Sequence, residues 1–182
     1  MTTIALALAG ALPARAATED FPPKGRFGVG DSIMLSSEAE LAMVEVPINA
    51  EVGRQFSAGL GVVRWRAAHG TLPRVVIVHL GTNGPIDPAD CDELAALTPH
   101  RRVFLVSVRV PRSWQRPNNT ILNECAGRYE RVHIIRWSSH SRPHVEWFAQ
   151  DGYHLTAEGQ LTYASFIDQT VDATLAVVRA GR

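Results

Sequence analysis

Three short polar stretches of the 182-residue sequence carry residue types suited to acyl chemistry. The first is Gly30-Asp31-Ser32. A free serine hydroxyl is a weak nucleophile and needs a base in contact with it. The second is Asp151-Gly152-Tyr153-His154, an acid three residues ahead of a histidine. In a tight turn that spacing lets the carboxylate accept from imidazole Nδ1–H. The ring then presents Nε2 in the tautomer that takes up a proton. The third is Gly81-Thr82-Asn83. The Asn83 amide, with backbone N–H donors from the Ser32 turn and from Gly53, has the chemistry to hold a developing oxyanion. One such donor is typically worth roughly 3–4 kcal/mol of barrier. Each stretch also has an ordinary use. Asp31 or Ser32 could cap a helix, Asp151 could open a capping turn, and asparagine is a common turn residue.

The surrounding pattern has to bring these stretches together. Phe27 to Val29 reads as a strand running into the Ser32 turn. Met43 to Ile48 reads as a second strand, at a sheet edge because of Pro47. Phe56, Leu60, Val63 and Ala67 give helical spacing across Gln55 to His69. Val75 to Leu80 is a continuous apolar strand, and a helix from Asp87 or Pro88 to Leu97 follows it. Arg102 to Val110 is the fourth strand, and Asn118 or Asn119 caps a helix to about Tyr129. Val132 to Trp137 is the fifth strand. Thr156 caps a last helix to about Arg179, with an apolar stripe of Leu161, Phe166, Ile167, Val171 and Leu175.

Strands alternating with helices imply βαβ units and a parallel sheet covered on both faces. The expected fold is therefore α/β: a three-layer, flavodoxin-like α/β/α sandwich on a five-stranded parallel sheet. In the usual strand order the first and third strands are neighbours, and ligands bind beyond their carboxyl ends. The Ser32 turn, the Asn83 turn and Asp151-x-x-His154 then share one crevice, the parts needed for acyl transfer.

The chain resembles the SGNH (GDSL-type) hydrolases. The matching pieces are Gly30-Asp31-Ser32, Gly53 in Asn49-Ala-Glu-Val-Gly-Arg54, Gly81-Thr-Asn83 and Asp151-x-x-His154, which span nearly the whole body from about Arg26. HLGTNG, VRVPRSWQ and DGYHLTAEG look like the extracytoplasmic SGNH domain of membrane acyltransferases that O-acetylate peptidoglycan and other surface glycans. The resemblance implies a serine mechanism without metal or cofactor. Ser32 would be the nucleophile, His154 the general base and Asp151 the orienting acid. The Ser32 backbone, Asn83 and Gly53 would form the oxyanion hole. The substrate would be a short acyl ester, most simply an O-acetyl group on carbohydrate or cell-wall glycan. In that subgroup the domain follows a multi-span membrane part that supplies acyl groups. No such run lies in these residues, so the expectation is a free-standing esterase or a domain serving a separate membrane acyltransferase. The rival reading is an inactive glycan-binding or scaffold domain of the same fold.

Other residues enter with secondary roles. Asp31, Arg109 and Trp114 are expected to face substrate, Arg109 and Trp114 from just beyond strand four, where an aromatic face suits a sugar. Trp65 is expected on a helix surface, Trp137 and Trp147 in the core, and His79 as a core histidine. Residues 1–25, with the apolar block Ile4 to Leu12 and Ala14-Arg15-Ala16, read as a signal peptide and linker. That makes residues 26–182 the catalytic domain and places it outside the cytoplasm, secreted, periplasmic or on the cell surface. Cys91 and Cys125 fit either one bridge or two buried thiols. Eighteen basic against eighteen acidic residues argue against nucleic-acid binding. The seven scattered histidines lack the HExxH spacing of a zinc site. A monomer is expected.

Overall fold

The structure, a computed structural model, describes residues 25–181. Of the expected leader and linker, residues 1–25, residues 1–24 lie outside the described residues. Five parallel strands form one sheet: β1 (Arg26–Gly30), β2 (Ile48–Ala50), β3 (Val75–His79), β4 (Arg102–Val106) and β5 (Val132–Ile135). Their spatial order is β2-β1-β3-β4-β5, so β1 and β3 are neighbours. Gly30 pairs with Ala50 on one side and with His79 on the other. The turns that follow these three strands therefore leave the sheet at one level.

Side chains alternate across the sheet, as a pleated strand requires. On one face Phe27, Val29, Val76, Val78, Val103 and Leu105 form a core under α3 (Phe56–Ala68), α4 (Pro88–Leu97) and α5 (Gln115–Arg128). On the other face Val75, Ile77, Phe104 and Val106 pack with residues of α1 (Ser32–Ser36), α2 (Glu38–Met43), α6 (Trp137–His140) and α7 (Ala157–Ala180). This is the three-layer sandwich. The strands read as unbroken apolar runs because both faces are covered.

Glycine sets how closely α1 approaches the sheet. On the α1 side, β1 presents Gly28 and Gly30. A Cβ at Gly30 would sit 2.4 Å from Met34 Cβ, and one at Gly28 would sit 2.9 Å from the Met34 sulfur. Met34, fully buried, fills that space instead. The chain thus doubles back over its own strand, and Ser32 stands at the crest.

The structure corrects several boundaries. Met43 ends a helix, and the second strand begins at Ile48. Val46 is nonetheless fully buried, in the connection between them. The strand does lie at an edge. Strand four stops at Val106 rather than Val110, and strand five at Ile135, where α6 begins two residues later. Asn118 and Asn119 lie inside α5, not at its cap. Leu161 is 55% exposed and does not belong to the buried stripe of α7, where Ile167 and Val171 are buried. Asp87 and Thr156 do cap α4 and α7. Trp137 and Trp147 are buried, His79 is 1% exposed, and Trp65 stands out on α3.

Cys91 of α4 and Cys125 of α5 are joined by a disulfide, with Cα atoms 5.9 Å apart. Both are buried in the core between these helices. Among the described residues, no helix is long and apolar enough to cross a membrane.

Candidate active site

Ser32 is the first residue of α1, and Asp31 is its N-cap. Asp31 Oδ1 accepts from Ile33 N–H at 3.0 Å. The cap fixes the turn, and the first helical residue keeps a backbone N–H with no partner inside the helix. Asp31 itself is fully buried. It was expected to face substrate; its carboxylate is turned inward onto the Ile33 N–H. It lies close enough for its charge to act on buried His79 and Tyr163. His79 Nδ1 and the Tyr163 hydroxyl are 2.7 Å apart. Burial lowers the His79 pKa, with the Asp31 charge opposing, and burial together with that charge pushes Tyr163 well above the usual tyrosine range.

His154 reaches Ser32 from the far end of the chain. Its Nε2 is 3.1 Å from Ser32 Oγ, and its Nδ1 is 2.7 Å from Asp151 Oδ2. Asp151 Oδ1 accepts from the backbone N–H groups of Tyr153 (3.1 Å) and His154 (3.0 Å). The carboxylate is therefore oriented by the turn it creates. Burial alone would raise its pKa, but the bonds from the His154 ring and from these two N–H groups outweigh it and hold Asp151 below the ordinary aspartate range. The whole segment is pinned at Trp147, whose carbonyl accepts from Thr156 N–H at 3.0 Å. Phe148 bridges to Leu155, and Ala149 N–H donates to the His154 carbonyl at 2.8 Å.

Asn83 sits half-buried in the turn after β3. Asn118, fully buried on α5, holds that turn in shape. Its Nδ2 donates to the carbonyls of Gly81 (2.9 Å) and Gly84 (2.8 Å), and its Oδ1 accepts from Ile86 N–H at 2.9 Å. Gly81, at φ +111°, supplies a left-handed position that other residues resist. Gly53, at φ +77°, lies in an exposed turn after β2. Glu51 N–H ties that turn to the Gly30 carbonyl at 3.3 Å.

Arg109 and Trp114 are engaged within the chain. The Arg109 guanidinium donates to the Ser141 carbonyl and lies 3.9 Å over the Phe148 ring. It thus braces the segment that carries His154. Trp114 Nε1 donates to the Thr82 carbonyl at 3.2 Å, beside Asn83. Asn118, expected as a helix cap, and Arg54 and Gln55, to which the sequence assigned no role in the site, shape these turns. Their contacts are with residues distant in sequence, and no local pattern announces them. Among the described residues, no three His, Cys, Asp or Glu side chains are grouped to hold a metal.

The arrangement places a hydroxyl against an imidazole nitrogen, a carboxylate behind the ring and an amide-bearing turn on the next strand. Those are the elements of nucleophilic acyl transfer.

No model of a known protein family matches the chain. Individual proteins do. It is 32% identical over 146 residues to the peptidoglycan O-acetyltransferase OatA of Listeria monocytogenes, a match covering 79% of this chain and 23% of that protein. It is 30% identical over 158 residues to the O-acetyltransferase OatA of Staphylococcus aureus, covering 85% and 26%. The chain thus spans about a quarter of the length of these curated relatives. Among solved structures, the C-terminal catalytic domain of Streptococcus pneumoniae OatA superposes with a TM-score of 0.76 at 20% identity, over 85% of this chain and 96% of that one. A family 3 carbohydrate esterase from Clostridium thermocellum gives 0.63 at 15% identity, over 85% and 98%. In sequence the chain is similar to part of the OatA-type O-acetyltransferases, and its fold is that of the SGNH (GDSL-type) hydrolase structures.

Proposed function

We propose that this domain is a serine acyltransferase or esterase that handles short acyl groups, chiefly O-acetyl, on carbohydrate or cell-wall glycan. The observation that carries the reading is the continuous chain of contacts from Ser32 Oγ through the His154 ring to Asp151, at 3.1 and 2.7 Å.

In this mechanism Ser32 Oγ attacks the ester carbonyl carbon while His154 Nε2 takes the hydroxyl proton. Asp151 accepts from Nδ1–H and so stabilises the imidazolium that forms. The substrate oxygen becomes negative and is held by the Ser32 N–H, the Gly53 N–H and the Asn83 amide. Collapse expels the alcohol, which takes the proton from Nε2, and leaves acetyl-Ser32. A sugar hydroxyl or water then gives its proton to Nε2 and attacks the acetyl carbon. The same steps in reverse order restore free Ser32. Arg109 and Trp114 set the walls of the acceptor side through the segments they brace.

The domain acts outside the cytoplasm, secreted, periplasmic or at the cell surface, and works as a monomer or with a separate membrane acyltransferase that supplies acetyl groups. The buried Cys91–Cys125 disulfide supports this placement, because such bonds persist in oxidising compartments. Incubation with an activated acetyl ester, followed by mass spectrometry, tests the reading. One acetyl should appear on Ser32 and be discharged by glycan or water, and Ser32→Ala should lose roughly four decades of turnover. A Ser32→Ala protein that keeps the parental rate overturns it.

A further inference from the structure

Resting on the acyl-transfer reading above, we propose that Arg54 and Gln55 are positioning residues that hold Asn83 and the Gly53 turn in register with Ser32. These two consecutive residues bond to the Gly30 carbonyl ahead of Ser32, to the Gly53 turn and to Asn83.

The Arg54 side chain is only 8% exposed. Its Nη1 donates to the Asn49 carbonyl at 2.6 Å and to the Gly30 carbonyl at 3.3 Å. Its Nη2 donates to Glu51 Oε2 at 3.2 Å. Gly30 lies two residues before Ser32, and Asn49 lies in β2, so one guanidinium joins the nucleophile turn to the strand that leads into Gly53. The Arg54 N–H donates to the Glu51 carbonyl at 3.3 Å and closes the turn around Gly53.

The backbone carbonyl of Arg54 has a different partner. It accepts from Asn83 Nδ2 at 3.4 Å. A primary amide carries two N–H donors. One is spent on Arg54, which aligns the amide plane, and the other is left for a substrate oxygen. Gln55 completes the tie from the next position. Its Nε2 donates to the Asn83 carbonyl at 2.7 Å. It also lies against Gly84, where an added Cβ would come within 2.6 Å of Gln55 Oε1. Both the side chain and the backbone of Asn83 are therefore fixed from residues 54 and 55.

Packing alone does not account for a cation here. Removing a guanidinium from water is costly unless its donors are met, and an apolar side chain would fill the same space without that cost. What arginine adds is a fixed fork of five donors that reaches two carbonyls and a carboxylate at once.

Such residues act on the transition state, so their loss should lower kcat and leave KM nearly unchanged. The test measures hydrolysis of an aryl acetate by Arg54→Met, Arg54→Lys, Gln55→Glu and Asn83→Ala. Rates are counted per Ser32 titratable with a sulfonyl fluoride, and melting curves are recorded alongside. Arg54→Met should lose about 30-fold in kcat with KM within about twofold, and Arg54→Lys should recover part of that. Gln55→Glu keeps the volume and removes the donor, and about a tenfold loss is expected. Because Gln55 acts through Asn83, its substitution in an Asn83→Ala background should cost less than about twofold. A merely structural residue would show the same factor in both backgrounds. Gln55 is exposed, so its variant keeps the test decisive if Arg54→Met does not fold. Parental kcat in the Gln55 variant, or full additivity with Asn83→Ala, overturns the proposal. Parental turnover in Ser32→Ala would instead overturn the acyl-transfer reading beneath it.

Discussion

Asparagine at position 151 probes the His154 ring more sharply than alanine does. In the parent, Asp151 Oδ1 accepts from two backbone N–H groups and Oδ2 faces His154 Nδ1 at 2.7 Å. An asparagine in the same rotamer keeps its carbonyl oxygen on the two N–H groups, because turning the amide over would set its hydrogens against two donors. Its NH2 is then left facing Nδ1. Two N–H groups repel there, so the ring shifts its hydrogen to Nε2. That nitrogen, 3.1 Å from Ser32 Oγ, donates to the hydroxyl instead of accepting its proton. A carboxylate-to-amide change behind a buried catalytic histidine costs about 10⁴ in kcat. Here the Asp151 side chain is 42% exposed, and water softens the effect. The expected loss is about 10³, or about 4 kcal/mol of barrier. Asp151→Ala removes the bias without imposing the wrong tautomer, and about 10² is expected. The order of activity is parent, then Asp151→Ala, then Asp151→Asn, the reverse of what similarity in size suggests. Turnover of an aryl acetate, with melting curves to confirm folding, reads it directly. A folded Asp151→Asn protein that matches the parent, or outpaces Asp151→Ala, refutes the tautomer argument.

Reduction of the Cys91–Cys125 bridge, which closes a 34-residue separation, should cost about 4 kcal/mol by the chain-entropy relation. For a domain of this size that lowers Tm by roughly 10 °C, which calorimetry with and without reductant would show. Gly159→Ala should impair both folding and turnover, because its Cβ would lie 2.1 Å from the Trp147 carbonyl that anchors the His154 segment. A loss of about 1–3 kcal/mol is expected in denaturant melts. Tyr163→Phe leaves buried His79 Nδ1 without its partner and should cost about 1–3 kcal/mol, read the same way. The Asp151 carboxyl is depressed in the folded chain, so its contribution to stability is present above its unfolded pKa and fades as pH falls through the folded one. In acid melts, Asp151→Ala should therefore lose less stability than the parent over that interval.

The strand pattern alone was enough to anticipate the sheet and the neighbouring turns, since Val75–His79 and Arg102–Val106 are apolar on both faces. The Ser32 and Asn83 turns do follow neighbouring strands, and Ser32 does meet His154. Elements that tertiary packing defines were harder to foresee. The three residues of β2 are too few to show a period, and the apolar Met43 and Val44 before them imitate a strand. Asn118 looked like a helix cap because asparagine favours caps, yet inside α5 it completes the Gly81–Ile86 turn. Asp31 or Ser32 could have capped α1, and Asp31 is the one that does. The same geometry that frees Ser32 turns the Asp31 carboxylate inward. Arg54 carries no local signal at all: its meaning depends on the carbonyls that β1 and β2 bring to it.

Ser32 and His154 are separated by 122 positions. A chain synthesised from its amino terminus displays the hydroxyl long before the imidazole exists. On the proposed mechanism, reactivity would therefore switch on late, when the last segment settles against Trp147 and Arg109. If the domain is exported as proposed, a polypeptide threaded through a membrane in extended form would be chemically silent in transit, and the proposed ester chemistry would begin only after arrival and closure.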